Sequence, residues 1–145
     1  MKTPQWLCMF LCMILCSASV NAEQKEVFGD ADIHFIVLSS MDLDADIAAK
    51  YGLSRGSSKG FINISAISNE PPHTPFSIKV VAEVTNLLGQ VETVSLREIR
   101  ESIARYSVGS FSFSPEETIR FRFEVTFEDG RVYQFRHAQK MYVEE

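Results

Sequence analysis

The sequence predicts an all-β protein, an antiparallel β-sandwich with one short helix. Three observations lead to this class: short segments of alternating apolar and polar residues recur along the chain, turn residues separate them, and one segment has helical spacing instead. Short strands joined by turns build antiparallel sheets that pack face to face, because each sheet must bury its apolar side. With 145 residues, 46% of them hydrophobic, the chain has the length for one such domain.

The first 22 residues have the layout of a secretory signal peptide. A cation at Lys2 precedes the unbroken apolar run 6–16, and small or polar residues follow as far as Ala22. This layout predicts cleavage before Glu23 and leaves residues 23–145 as a single exported domain. The apolar run is too short for a permanent membrane span, which needs about 20 residues.

All three cysteines of the chain, Cys8, Cys12 and Cys16, lie in this leader. The predicted mature chain therefore has neither a disulfide framework nor thiol chemistry. Lipid anchoring at Cys16 is not expected, because an acylated cysteine follows a small residue and Cys16 follows Leu15.

The first elements of the mature chain are a strand and a helix. Residues 32–39 are almost continuously apolar, which is typical of a strand covered on both faces. Residues 45–51 have helical spacing, with Asp44 as the N-cap and Gly52 ending the helix. A helix of about two turns must pack against the sheet to persist.

The middle of the chain is mostly strand. Residues 61–67 form one predicted strand, a proline-rich loop covers 69–75, and residues 76–84 alternate as a half-buried strand. The segment 96–106 fits two structures, since its apolar residues recur at helical spacing while residues 91–96 and 106–113 around it read as strands. We favour two strands that turn near Glu101, with a helix as the alternative.

The last two predicted strands, residues 119–127 and 131–138, form a hairpin. Alternate residues of a strand point to opposite faces, so the number of residues in the connecting loop decides which side chains of the second strand face the core. A three-residue loop between them places Phe123 opposite Phe135, whereas a two-residue turn would bury Arg136 on the core side. The sequence therefore predicts the longer loop, with a positive φ at Gly130.

Several stretches of the mature chain match one family in order and spacing. They are Phe28-Gly29-Asp30, Ala48-Ala49-Lys50-Tyr51-Gly52 followed by Arg55, Phe61-Ile62-Asn63-Ile64-Ser65, Arg97-Glu98-Ile99-Arg100-Glu101 and Met141-Tyr142-Val143. Together they resemble the DUF4426 domain family of secreted bacterial proteins, over about residues 26–143. The resemblance implies an immunoglobulin-like sandwich in the periplasm, and it favours strands near Glu101. It implies no activity and supplies no catalytic residues.

Three motifs suggest chemistry, and none completes its pattern. Residues 52–56 match G-x-S-x-G around Ser54, but a nucleophile elbow needs a strand before it and a helix after it, and here a helix precedes. Asp42, Asp44 and Asp46 alternate as in a calcium loop, which then lacks its glycine and its final glutamate. The histidines, His34, His73 and His137, have no ligand partner at metal spacing, so a hydrogen-bonded core histidine is the favoured interpretation of His34.

The candidate interaction surface consists of arginines in the C-terminal half: Arg97, Arg100, Arg120 and Arg122. They are expected either to bind an anionic partner from an outer sheet face or to form solvated pairs with neighbouring glutamates. The net charge of −5 argues against a nucleic-acid partner.

The sequence thus predicts a periplasmic, non-catalytic binding module without a cofactor. Its partner is unidentified and is expected to be a protein that docks on a sheet edge or an outer face. The alternative is a small periplasmic hydrolase or metal-dependent enzyme, for which the sequence offers no convincing set of residues.

Overall fold

A computed structural model describes residues 24–143, which form two antiparallel sheets packed face to face. The five-stranded sheet has the order β1-β2-β3-β7-β6 and the four-stranded sheet the order β5-β4-β8-β9. The all-β prediction is confirmed, and the predicted leader lies outside the described residues. The strands are β1 Gln24–Phe28, β2 Ala31–Ser39, β3 Lys59–Ser68, β4 Ile78–Thr85, β5 Val91–Ser95, β6 Arg97–Glu101, β7 Ala104–Ser112, β8 Thr118–Phe127 and β9 Val132–Lys140; a 3-10 turn spans Ser40–Asp42 and helix α1 spans Ala45–Lys50.

The core lies between the sheets and is built by strand alternation. Along β2 every second residue is buried and the residues between are half-buried. Along β8 the apolar residues at odd positions are buried, while Arg120, Arg122 and Glu124 face solvent. Phe35 of β2 meets Phe123 and Phe135 across the core, with ring centroids 6.1 and 4.9 Å apart. The outer side of β2 is therefore covered only in part, less than its continuous hydrophobicity predicted.

Helix α1 and its flanks cover part of the outer face of the five-stranded sheet. Asp44 caps α1 as predicted, since its Oδ1 accepts from the backbone N–H groups of Asp46 and Ile47, and Gly52 follows with φ +67°. The side chains of Leu43, Tyr51 and Leu53 pack on a second small cluster outside the main core, formed by Phe61, Ile99 and Val108.

The segment 96–106 is a pair of strands, as the sequence favoured. β6 and β7 pair around a turn in which Ser102 has φ +53°. Leu96 lies between β5 and β6, and the chain passes there from the four-stranded to the five-stranded sheet. The Leu96 side chain is buried, and its backbone N–H donates to the carbonyl of Val80 over 3.0 Å.

The final hairpin has the predicted register. Phe123 pairs with Phe135 and Val125 with Tyr133, and Gly130 has φ +87°. The rings of Phe123 and Phe135 lie 5.0 Å apart. Phe135 is buried, whereas Tyr133 is only half-buried, because its hydroxyl reaches the edge of the sandwich and donates to Glu26 over 3.2 Å.

Candidate binding surface

Ser54 does not lie in a nucleophile elbow. It is exposed and follows helix α1, where an elbow would have a strand before it and a helix after it. It lines a shallow depression of about 290 Å³ with Lys59, Glu92, Ser110 and Phe111 among its neighbours, and no histidine lines that depression. The depression therefore offers no imidazole base to activate the hydroxyl.

The histidines lie on opposite sides of a sheet. His34 lines a depression of about 340 Å³ on the outer face of the five-stranded sheet, together with His73 and Tyr106. His137 lies between the sheets against Phe35, at a centroid distance of 5.3 Å. Since successive strand residues point to opposite faces, β2 itself separates His34 from His137. Within residues 24–143, no group of three or more His, Cys, Asp or Glu side chains is arranged to hold a metal ion.

The predicted arginine surface is divided between the two sheets. Arg97 and Arg100 lie on β6, whereas Arg120 and Arg122 lie on β8. A guanidinium nitrogen of Arg97 donates to the backbone carbonyl of Tyr51, and this contact ties β6 to the end of α1. The four arginines therefore do not share one surface, and the two sheets must be considered separately.

On the five-stranded sheet the arginines are compensated by an acid. Arg100 lies directly opposite Arg105 across β6 and β7. Glu98 lies between them and accepts hydrogen bonds from both, at 3.1 Å from Arg105. The hydrogen bond from Arg100, one from Ser77 and the charge of Arg105 hold the pKa of Glu98 below its ordinary value. This group of charges is a closed network that stabilises the β6–β7 edge.

The four-stranded sheet has an outer surface that we call the basic face. Along β4, β8 and β9 the buried residues alternate with residues that point away from the core, and these outward residues form the basic face. This face contains five cations, and the side chains of all five are exposed to solvent. The outer face of β2 on the other sheet is less accessible, because its outward residues are half-buried. The basic face consists of Lys79, Arg120, Arg122, Arg136 and Lys140, with Glu83 and Glu124 as its acids.

Two arginines of the basic face oppose each other directly. Arg122 pairs with Glu83 of β4 over 2.8 Å, but on its other side it lies opposite Arg136 of β9. Like charges directly across a strand pair repel each other. Glu83 lies across β8 from Arg136, and the charge of Glu124 also acts on Arg122, so the acids of this face compensate the pair mainly on the Arg122 side. A bound anion would relieve the remaining repulsion.

Part of the basic face was predictable from the sequence. The predicted candidate surface includes Arg120 and Arg122 but not Lys79, Arg136 or Lys140. The signal for two of them was present, because Arg136 and Lys140 alternate with Phe135 and His137 along the last strand and therefore share its outer side.

Comparison with known proteins identifies the family. The profile described as "Domain of unknown function (DUF4426)" matches residues 25–144. The chain belongs to the DUF4426 family. The crystal structure of a DUF4426 family protein from Pseudomonas aeruginosa is 28% identical and has a TM-score of 0.73, with 85% of this chain and 97% of that chain covered. Among curated proteins, none matches.

More distant solved structures share the fold of this DUF4426 chain. FetP from uropathogenic Escherichia coli strain F11 is 9% identical, with a TM-score of 0.60 over 86% of this chain and 96% of that chain. A copper-bound variant of a Campylobacter jejuni protein is also 9% identical, with a TM-score of 0.52 over 81% and 94% of the two chains. In the part of the DUF4426 chain that the structure describes, no helix has the length and apolarity to cross a membrane.

Proposed function

We propose that this DUF4426 protein is a non-catalytic binding module of the periplasm, which holds an anionic partner on its basic face. The observation that carries the proposal is the charge of that face. Five exposed cations stand there against two acids, in a chain whose net charge is −5. An acidic protein concentrates cations on one surface at the cost of mutual repulsion, which an anionic partner offsets.

The shape of the surface supports binding over catalysis. The outward residues of β8 and β9 form an open sheet face, whereas enzymes act in concave sites where reactive groups converge. The alternative function, a small hydrolase or metal-dependent enzyme, has less support, because no histidine lines the depression at Ser54 and no set of metal ligands is arranged within residues 24–143. The depression at His34 does contain Ser65, but no aspartate or glutamate lines it to orient an imidazole. The copper-bound neighbour shares the fold alone, so copper is not part of the proposal.

The periplasmic location has two supports. The predicted leader, residues 1–22, directs export, and the FetP that shares the fold was recombinantly expressed in the periplasm of Escherichia coli.

A polyanion column tests the proposed function. We expect the protein to be retained on an immobilised sulfated polysaccharide at low salt and to elute as the salt concentration rises, because the attraction is electrostatic. The double variant Arg120→Gln, Arg136→Gln should bind roughly tenfold more weakly. The matched control, Lys25→Gln with Lys59→Gln, loses the same charge from the five-stranded sheet and should elute close to the unmodified protein. Equal elution of the two double variants, or no retention at all, would contradict the proposal.

A further inference from the structure

The basic face ends at a turn with two exposed leucines. Leu87 and Leu88, between β4 and β5, are 70% and 83% exposed. Solvated turns are usually made of glycine, proline, asparagine, aspartate and serine, so adjacent leucines are unusual there. Val91 and Tyr142, each 59% exposed, add apolar surface to the same end of the molecule. We call Leu87 and Leu88 the leucine tip.

The backbone of the leucine tip has its N–H groups satisfied from within the protein. The side-chain oxygen of Asn86 accepts from the N–H groups of Leu88 and Gln90, at 3.0 and 2.9 Å, and its carbonyl accepts from Gly89 at 3.0 Å. The N–H of Leu87 donates to the carboxylate of the buried Glu117 over 3.0 Å. A segment that enters an apolar phase must satisfy its backbone donors internally. All four N–H groups from Leu87 to Gln90 meet that requirement.

The nearest cations of the basic face lie beside this tip. Thr85, two residues before Leu87, pairs with Arg120, and Arg120 pairs with Ala138. Lys140 lies two residues beyond Ala138, and its ammonium group is 5.3 Å from the ring centroid of Tyr142. Residue 141 is also tied to this end, since the N–H of Met141 donates to the carbonyl of Glu117 over 2.8 Å.

We propose that the anionic partner is a phospholipid surface, into which the leucine tip inserts while Arg120 and Lys140 contact the phosphate groups. The inference rests on the proposed function, because it names the partner of the same face. An acidic protein would satisfy the cations but would leave the leucines against charged groups. A phospholipid surface supplies phosphates at its boundary and acyl chains directly beneath, and Tyr142 is a residue type typical of that boundary.

Vesicle binding tests the inference with the full exported protein. We expect it to cosediment with vesicles of phosphatidylcholine and phosphatidylglycerol in equal parts, and much less with phosphatidylcholine alone. The double variant Leu87→Ser, Leu88→Ser should bind roughly tenfold or more weakly to the anionic vesicles, since each leucine loses its transfer into the acyl region. The matched control is Ile103→Ser, because Ile103 is 82% exposed in the β6–β7 turn. It should bind as the unmodified protein does.

A second readout reports insertion directly. The single tryptophan of the chain, Trp6, lies in the predicted leader, so Leu88→Trp gives the mature protein one tryptophan, which can be excited separately from its tyrosines. Its emission should shift to shorter wavelength with the anionic vesicles, whereas Ile103→Trp should not shift.

The outcomes separate the inference from the proposed function. Retention on the polyanion without binding to either vesicle would overturn the lipid partner and leave the basic face intact. An equal loss of binding in Ile103→Ser, or no fluorescence shift in Leu88→Trp, would also overturn the insertion. Loss of both polyanion and vesicle binding would overturn the proposed function itself.

Discussion

Glu117 is a buried carboxylate that holds three segments of the chain together. It is 9% exposed, and its two oxygens accept from the N–H groups of Leu87 and Ser114, at 3.0 and 2.9 Å. Its own carbonyl receives the N–H of Met141. The carboxylate thereby ties the β4–β5 turn to the loop before β8, and the backbone carbonyl of the same residue ties that loop to the end of β9.

Replacing this carboxylate should loosen the leucine tip. Glu117→Gln keeps the size of the side chain but turns one acceptor into a donor, which would then face a backbone N–H. We expect a loss of about 1–3 kcal/mol in the free energy of unfolding, measured by urea denaturation. The control Glu116→Gln changes the exposed neighbour and should stay within about 0.5 kcal/mol of the unmodified protein. Equal midpoints for the two variants would show that the buried carboxylate does not hold the turn.

At the scale of the element, the β6–β7 hairpin depends on one acid between two arginines. The hydrogen bond from Arg100 is the largest cause of the lowered pKa of Glu98, whose ordinary value is 4.5. A carboxylate with a lowered pKa in the folded state stabilises the fold above its unfolded pKa, and this contribution is lost as the pH falls through its folded pKa. The hairpin should therefore weaken below about pH 4.5.

The variant Glu98→Gln should reveal this pH dependence. At neutral pH we expect it to lower the free energy of unfolding by about 1 kcal/mol, because Arg100 and Arg105 then face each other without an acid. The difference from the unmodified protein should shrink progressively below pH 4.5, as Glu98 itself becomes protonated. Urea titrations over a pH series measure it. A difference that stays constant down to pH 2, or grows, would contradict the assigned role.

The elements that the sequence predicts well are those in which buried and exposed residues alternate regularly along the strand. In β8 the alternation is unbroken, so its core face and the hairpin register follow from local pattern and turn chemistry. The ambiguous segment 96–106 has helical spacing for a different reason. Leu96 packs in the main core, Ile99 and Tyr106 pack outside it against the α1 segment, and Ile103 is exposed in the turn. Residues buried in separate places happened to recur at helical intervals.

The candidate surface was harder to predict than the fold. Arg120 and Arg122 share one strand, so their common face is a local property. Arg97 and Arg100 belong to the other sheet because the chain changes sheets at Leu96, and sheet membership depends on long-range pairing that no local pattern reports. The leucine tip carried a signal in the sequence, two adjacent leucines directly before Gly89, that the predicted candidate surface left out.

At the scale of the whole molecule, the domain should begin directly after the predicted leader. The predicted cleavage site lies between Ala22 and Glu23, and β1, Gln24–Phe28, is the first strand among the described residues. We expect mass spectrometry of the exported protein to give the mass of residues 23–145. A mass that retains Cys16 with attached acyl chains would contradict the prediction and would provide a different membrane attachment from the leucine tip.

The passage of the chain at Leu96 has a consequence for unfolding. The chain enters the four-stranded sheet with β4 and β5, returns to the five-stranded sheet with β6 and β7, and crosses again for β8 and β9. Only one residue, Leu96, separates β5 in one sheet from β6 in the other, so the connection is too short to let the two strands move apart. Pulling one sheet away would therefore break pairs in the other, so the two layers cannot melt as separate cooperative units. Three of the seven strand pairings among the described residues, β2 with β3, β3 with β7 and β4 with β8, join residues at least 21 positions apart in the sequence. Because these pairings close long loops, folding is expected to be slow and all-or-none.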